Sequence, residues 1–335
     1  MNEKILTVSI AAYNMEKYIR QALDSLVDDR VIDDLEVFVI DDGGTDRTLE
    51  IAKEYAAKYP NSIFPVHKEN GGYGSTVNYS IAHATGKYFK LLDGDDWYDT
   101  DELYEMLKPL KEMEADVIVL PYKKGPSAEQ LELVTLIPIA PSGEVVGVER
   151  LPTKNVYGMW ALAYKTQILK MSGVELPEYK LYTDQIYSTI PFSYCKRVTF
   201  LDLYVYCYRV GRDGQSVSRE SRIKHAQDML DSVVFLCQYY SEHQQEQRST
   251  YPYIRLRLTR YYLKAIKTLL LKPYTKESLH ELKELETTIA KVTPVVYRDV
   301  LHEGKMGIFI RIMRWTNYSA YWMLKLFGIK IKNWA

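Results

Sequence analysis

The sequence predicts an α/β protein: a mostly parallel sheet flanked by helices, followed by a C-terminal α-helical domain. Three observations predict it. Strand-like and helix-like runs alternate from Ile5 to Leu120, the pattern of βαβ units. Three of the strand-like runs stop at polar or glycine-containing loops, Tyr13-Asn14, Asp41-Asp42-Gly43-Gly44 and Asp93-Gly94-Asp95-Asp96. Beyond about residue 220 the apolar residues settle into a helical period.

The elements follow in order. Ile5 to Ala11 is a β-branched run and reads as the first strand. Tyr18, Ala22, Leu23 and Leu26 then recur at helical spacing. Leu35 to Ile40 is the second strand, and Thr45 to Tyr59 a helix with Thr45 at its N-cap. Ser62 to His67, Lys87 to Leu92 and Asp116 to Leu120 are further strands. Between them lie a short helix from Thr76 to Ala84 and one ending at Lys111, capped by Thr100 or Asp101. From 121 to 160 prolines and glycines punctuate the chain, leaving strand-like pieces at Leu131 to Ile137 and Gly143 to Val148. Asp184 to Tyr194 reads as a short helix, and Arg197 to Val210 as a strand pair or one long strand. Two helical stretches follow, one through Ile223, Met229, Leu230, Val233 and Leu236, the other through Leu258, Tyr261, Tyr262, Ala265 and Leu269. The expected division is therefore 1–220 and 221–335.

Bulk composition narrows the class. The chain has 335 residues, 47% hydrophobic and 26% charged, enough for a sizeable core in more than one domain. A formal net charge of −1 gives no reason to expect a nucleic-acid partner. Cys195, Cys207 and Cys237 cannot all pair and have no metal-ligand spacing, as expected of reduced thiols in a cytoplasmic protein. No basic-then-apolar leader opens the chain and no run of 18 apolar residues interrupts it. The charge is uneven. From Lys305 to Ala335 there are six cations and no carboxylate, with Trp315, Trp322 and Trp334 among them. Phe309, Ile312, Met313, Trp315, Tyr318, Trp322 and Phe327 give that tail a broad apolar face. Such a face suits either helix packing, within the chain or between copies in a homo-oligomer, or peripheral contact with an anionic membrane. The inner face of the membrane is then an expected address.

The most informative run is Phe89-Lys90-Leu91-Leu92-Asp93-Gly94-Asp95-Asp96. An apolar strand ends abruptly in three carboxylates that repel one another. A divalent cation relieves that repulsion, and hard oxygen ligands suit Mn²⁺ or Mg²⁺, ions that also bind phosphates. Open α/β sheets place ligands at the carboxyl ends of their strands, where these loops converge.

Read together, the loops resemble the family 2 inverting glycosyltransferases of GT-A fold, whose sheet is Rossmann-like. Val8 to Asn14 with Glu16-Lys17-Tyr18-Ile19 looks like that family's opening strand and helix. Val39 to Thr48 is similar to its acidic second-strand motif. Glu69-Asn70-Gly71-Gly72, Asn78 and Ala84 to Tyr88 lead into Asp93-Gly94-Asp95-Asp96-Trp97. The resemblance implies transfer of a sugar from a nucleotide-diphospho-sugar, UDP-linked by family habit. The acceptor would be a hydroxyl of a glycan, lipid-linked or protein-linked molecule. It implies donor contacts from Ala12, Tyr13, Asp42, Gly72, Asp93 and Gly94, with Tyr13 against the base and Asp42 accepting from the uracil imide. Asp95 would be the main metal ligand, and Asp93 would touch the ribose or the metal.

The family's catalytic base is the second residue of a Glu-Asp pair; the matching place here reads Thr183-Asp184, which makes Asp184 the expected base and Asp202 its rival. Gln215-Ser216-Val217-Ser218 and Tyr206-x-Tyr208-Arg209 support that register. Many relatives have an arginine where this chain has Val77. Backbone amides of Gly71, Gly72, Gly74 and Ser75, or Lys68, Arg209 and Arg212, would then serve the diphosphate. His225 is a further candidate near the metal, and Trp97 and Trp160 are candidates for stacking on sugars. Two other classes stay open. An inactive glycan-binding scaffold is compatible with Thr183 and Val77. A sugar nucleotidyltransferase would want a glycine-rich basic loop after the first strand, and Ala11-Ala12-Tyr13-Asn14 has neither glycine nor cation.

Overall fold

Apolar β-branched runs bury themselves in the middle of a sheet, and here they do so four abreast. The computed structural model describes residues 3–151, 154–212, 215, 218–246 and 248–322. The chain forms two units, Met1–Asp213 and Gly214–Ala335.

The first unit opens with β1 (Leu6–Ala12), α1 (Ile19–Asp24), β2 (Leu35–Asp42), α2 (Thr48–Lys58), β3 (Ile63–Lys68), α3 (Tyr73–His83), β4 (Tyr88–Asp93), β5 (Trp97–Tyr98), α4 (Thr100–Leu110) and β6 (Val117–Val119). It continues through β7 (Tyr122–Gly125), β8 (Glu132–Val134), β9 (Val145–Gly147), β10 (Leu162–Lys165), α5 (Thr166–Ser172), α6 (Asp184–Tyr187), β11 (Arg197–Phe200) and β12 (Tyr206–Arg209). An eight-stranded sheet runs β3-β2-β1-β4-β10-β6-β11-β9, and a four-stranded one β5-β12-β7-β8. The β3-β2-β1-β4 core is wholly parallel. β10 enters antiparallel between β4 and β6.

Register sets the site. Ala12 lies opposite Asp41, and Ala11 opposite Asp93. Strand order reverses between β1 and β4, which opens the crevice where doubly wound sheets hold ligands. The expected α/β class is thus observed.

Several boundaries move for local reasons. Asp46 accepts from Thr48 N at 2.9 Å, so α2 starts at Thr48, while Thr45 N donates to Asn14 Oδ1 at 2.8 Å instead of capping. α4 is capped by Asp99, whose carboxylate accepts from Glu102 N, in place of Thr100 or Asp101. Its Leu103, Met106, Leu107 and Leu110 fall on one buried face. α3 begins three residues earlier than its periodicity suggests, because Gly72 takes φ 80° and turns the chain into the helix. Pro191 starts a separate 3₁₀ turn, so α6 ends at Tyr187. The Arg197 to Val210 segment does not pair with itself: β11 joins the large sheet and β12 the small one.

The second unit holds α7 (Arg219–Lys224), α8 (Ala226–His243), α9 (Tyr251–Leu269), α10 (Lys276–Val292), α11 (Pro294–Asp299) and α12 (Gly304–Trp315). Its core carries a buried carboxylate, Glu286. Arg314 Nε donates to Glu286 Oε2 at 2.5 Å, the Tyr318 hydroxyl donates to the same oxygen at 2.9 Å, and Tyr262 donates to Oε1. Charge-assisted bonds of this kind offset the desolvation of both ions. Arg314 is therefore an internal counter-ion, not a surface cation of the tail. Met313 of the expected apolar face also turns inward, and Phe327 lies outside the described residues. No described helix is long and apolar enough to cross a membrane.

Candidate functional site

The loops after β1, β2 and β4 are tied to one another by hydrogen bonds that short polar side chains make to nearby backbone. Asn14, in the left-handed region at φ 54°, accepts from Thr45 N. Met15 N donates to Thr48 Oγ1 at 2.7 Å, and Glu16 N to Asp46 Oδ2 at 3.0 Å. Gly94 N donates to Ala11 O at 3.1 Å. A Cβ at Gly94 would meet Ala11 O at 2.9 Å and Met15 Cγ at 3.1 Å, so the close approach of these loops needs glycine there.

Each expected residue can now be placed. Ala12 is buried at the end of β1, and Tyr13 beyond it is 51% exposed. Asp42 is buried, and its carboxylate accepts from Gly71 N at 2.9 Å, Gly72 N at 2.8 Å and Lys68 Nζ at 3.0 Å. The amides of Gly71 and Gly72, expected to face phosphate, thus serve Asp42, and Lys68 is drawn to the same group. Asp41 is likewise engaged, by His67 Nδ1 at 2.6 Å and Gly44 N at 3.2 Å.

Asp93, Asp95 and Asp96 converge, with one oxygen from each lying within 4.8 Å of the others. Their support differs. Asp96 is fully engaged: the Tyr206 hydroxyl donates to Oδ2 at 2.6 Å and Arg209 N to Oδ1 at 2.7 Å. Asp95 pairs with Arg212 Nε. Asp93 Oδ1 is buried and has no hydrogen-bond partner among the described residues. An orphaned buried oxygen beside two further carboxylates is the donor set of a hard divalent cation. The residues present therefore fit the expected metal, and Asp93 and Asp95 are the ones that would hold it, since Asp96 has both oxygens engaged.

Electrostatics agree with the geometry. Burial, then the charge of Asp95, pushes Asp93 up to about 7, and Asp184 adds to the rise. Burial holds Asp96 well above the carboxylate range. Tyr73, the first residue of α3, is raised by burial and by the charges of Asp93 and Asp184. Asp184 thus stands within electrostatic reach of the carboxylate cluster, at the first position of α6, where the helix dipole favours an anion. Gln185 Nε2 donates to its Oδ2 at 2.7 Å. Asp202 sits on an exposed turn, with its backbone N–H donating to Ser142 Oγ, and its charge is felt at Tyr204.

The loop before Asp184 is anchored to α3 and to the turn that precedes it. Asn78 Nδ2 donates to Leu176 O at 2.8 Å and Leu176 N returns a bond to Asn78 Oδ1 at 2.9 Å. Tyr179 N donates to Gly71 O at 2.8 Å. Tyr179 and Tyr182 both take positive φ, 55° and 62°, which bends this loop over Gly72.

The remaining candidates divide. Val77 is fully buried, so an arginine side chain there would have to be desolvated at a cost or turn out of the core. Arg209 donates to Asp95 O at 2.8 Å and to Gln21 Oε1 at 2.6 Å while lying over Trp97, 4.8 Å from the ring centroid. It braces the loop, and Trp97 is packed under it. Trp160 stacks on Tyr208 at 4.7 Å. His225 belongs to the second unit, 3.6 Å from Asp228. Sequence reasoning missed Tyr73, Tyr206 and Lys90. Lys90, on β4, is fully buried over the Tyr98 and Tyr206 rings and donates to Trp160 O at 2.6 Å, with burial lowering its pKa to about 7. A lysine inside an apolar strand was the available signal.

One pH dependence follows. Asp93 is raised in the fold, so its contribution to stability is full below about pH 4 and is lost as pH rises through about 7. Ion binding needs the carboxylate and gains over the same window. Mn²⁺ affinity should rise by up to about tenfold per pH unit below 7 and then level. Electron paramagnetic titrations of free Mn²⁺ at several pH values check this; a flat profile contradicts it.

Comparison with known proteins agrees. Residues 7–161 match the model of Glycosyl transferase family 2. The chain is 25% identical over 342 residues to the minor teichoic acid biosynthesis protein GgaB of Bacillus subtilis, covering 96% of this chain and 37% of that protein. It is 27% identical over 215 residues to the poly(ribitol-phosphate) beta-N-acetylglucosaminyltransferase TarS of Staphylococcus aureus, covering 63% of this chain and 36% of TarS. It thus spans little more than a third of either relative. Among solved structures, TarS 1–349 with UDP-GlcNAc superposes with TM-score 0.54 at 20% identity, covering 88% of this chain and 91% of that one. The mannosyltransferase PcManGT from Pyrobaculum calidifontis, in complex with GDP-Man and Mn²⁺, gives TM-score 0.54 at 18% identity, covering 98% and 89%. These likenesses show the fold. Residues 7–161, from β1 to the Trp160 turn, thus match glycosyl transferase family 2, and with the acidic loops gathered at the carboxyl ends of β1, β2 and β4 the fold is of the GT-A type.

Proposed function

We propose that the chain is an inverting glycosyltransferase that moves a sugar from a nucleotide-diphospho-sugar to a hydroxyl of a glycan acceptor. The observation that carries this is the convergence of Asp93, Asp95 and Asp96, with Asp184 within electrostatic reach of Asp93 and a buried Asp93 oxygen that has no hydrogen-bond partner among the described residues. The relatives support a UDP-linked donor and a polyol-phosphate or other cell-surface glycan as acceptor, since TarS carries that specificity in its name and binds UDP-GlcNAc. Lipid-linked and protein-linked acceptors belong to the same proposal. The C-terminal helices would serve to bring acceptor and enzyme together, by homo-oligomerisation or at a membrane surface.

Asp95 and Asp93 would hold a divalent ion, Mn²⁺ or Mg²⁺, which when bound supplies Lewis-acid neutralisation of the leaving diphosphate. The chain's own residues do the rest. Exposed Tyr13 offers its ring to the base at the end of β1. Asp42 Oδ2 holds one hydrogen bond, from Gly72 N, and keeps acceptor capacity for an imide N–H. Gln185 occupies Asp184 Oδ2 and orients the carboxylate. Asp184 then takes the proton of the acceptor hydroxyl as its oxygen attacks the anomeric carbon. The nucleoside diphosphate leaves from the opposite face, and the configuration inverts. Holding both substrates in line adds the gain of an intramolecular reaction.

The test is a thermal-shift panel of nucleotides and nucleotide-sugars with and without Mn²⁺. A ligand that binds only the folded state raises Tm, by an amount that grows with the logarithm of its concentration over Kd. A UDP-sugar should raise Tm selectively and only with the metal. If no nucleotide does so, the reading fails, and a non-catalytic scaffold takes its place.

A further inference from the structure

We infer that the outward face of α12 docks on an anionic lipid surface. The helix buries Met306, Gly307, Ile310 and Met313 in its own unit. On the other side Ile308, Ile312 and Trp315 are 58%, 46% and 86% exposed. Their spacing of four and then three residues sets them in one stripe along the helix. Lys305 and Arg311 are also exposed and lie on the same stripe, a turn from Ile308 and Trp315. An exposed apolar stripe of this kind marks an interaction surface rather than ordinary solvated helix.

Charge decides the partner. From Gly304 to the end of the sequence there is no carboxylate side chain; Arg314 is held by Glu286, while Arg311 donates to a backbone carbonyl, Leu301 O at 3.5 Å, which leaves its charge unneutralised. Two copies packed through this stripe would bring four exposed cations together with no acid on the helix to answer them. A bilayer carrying anionic headgroups supplies that answer, and it accepts the apolar side chains at the acyl boundary. A tryptophan with its ring in the open suits the headgroup level, where one end of the indole is dry and the other wet.

The experiment is co-sedimentation of the full chain with phosphatidylcholine vesicles, with and without phosphatidylglycerol. Binding should need the anionic lipid and weaken with salt. Replacing Lys305 and Arg311 together by alanine should lower partitioning about 25-fold, roughly fivefold for each cation near the surface. Trp315→Ser should lower it about tenfold. All three side chains are exposed, so circular dichroism and Tm should not move, and Arg311→Glu serves as a second variant. Three results would overturn the inference: equal binding to neutral vesicles, no loss in these variants, or sedimentation equilibrium showing a dimer that Trp315→Ser dissolves. The readout uses no nucleotide-sugar, so its outcome is independent of the proposed activity.

Discussion

Asp95→Ala should abolish metal-dependent donor binding and lower turnover by on the order of 10³ or more, the loss expected when several kcal/mol of Lewis-acid assistance is removed. Three carboxylates converge at the end of β4, but they are not equivalent. Asp96 spends both oxygens on Tyr206 and Arg209, so it shapes the loop. Asp93 keeps a buried oxygen without a hydrogen-bond partner among the described residues, and the Asp95 carboxylate pairs with the end of a long guanidinium side chain, that of Arg212, which can re-partner. Removing Asp95 deletes one of the two proposed ion ligands. It also removes a neighbouring charge that raises Asp93. The metal-free variant should therefore melt no lower than the wild type, because a like-charge repulsion has gone. The decisive measurement is the Mn²⁺-dependent thermal shift with UDP-sugar. A shift of wild-type size in the variant would place the ion elsewhere.

Asp184→Asn should spare donor binding and slow transfer by roughly 10²–10⁴, the range for losing a general base. The substitution keeps size and can still hydrogen-bond Gln185, so the start of α6 should stand. What is lost is the ability to accept a proton beside the cluster. Donor KM and the nucleotide thermal shift should hold while kcat falls. Asp202→Asn, on its exposed turn, should leave transfer unchanged. Transfer at the wild-type rate by Asp184→Asn would assign the proton to another group.

Much of this architecture was readable from local pattern. β1, β2 and β4 are apolar β-branched runs with abrupt polar ends, and such strands have few alternatives once their helices are amphipathic. The crevice was legible for the same reason, since parallel strands carry their following loops to one edge. What escaped depends on distant partners. Asp42 looked like a free acceptor until the fold brought Gly71 and Gly72 to it across a whole βα unit. Arg212 appeared as a phosphate ligand and is found on Asp95. β11 and β12 read as one stretch and part into two sheets, because each finds its partner in β6 or β7 far upstream. Asp99 outcompeted Thr100 as a cap by a single residue, a margin that hydrophobic periodicity does not resolve.

The reciprocal pair between Asn78 and Leu176, with Tyr179 bonded to Gly71, joins stretches of chain almost a hundred residues apart. One stretch borders Asp42 and the proposed nucleotide contacts; the other leads directly into Asp184, the proposed proton acceptor. They are yoked, so neither can shift without dragging its counterpart. Affinity for the donor and speed of the chemical step are then mechanically correlated traits, and selection acting on one would be expected to move the other.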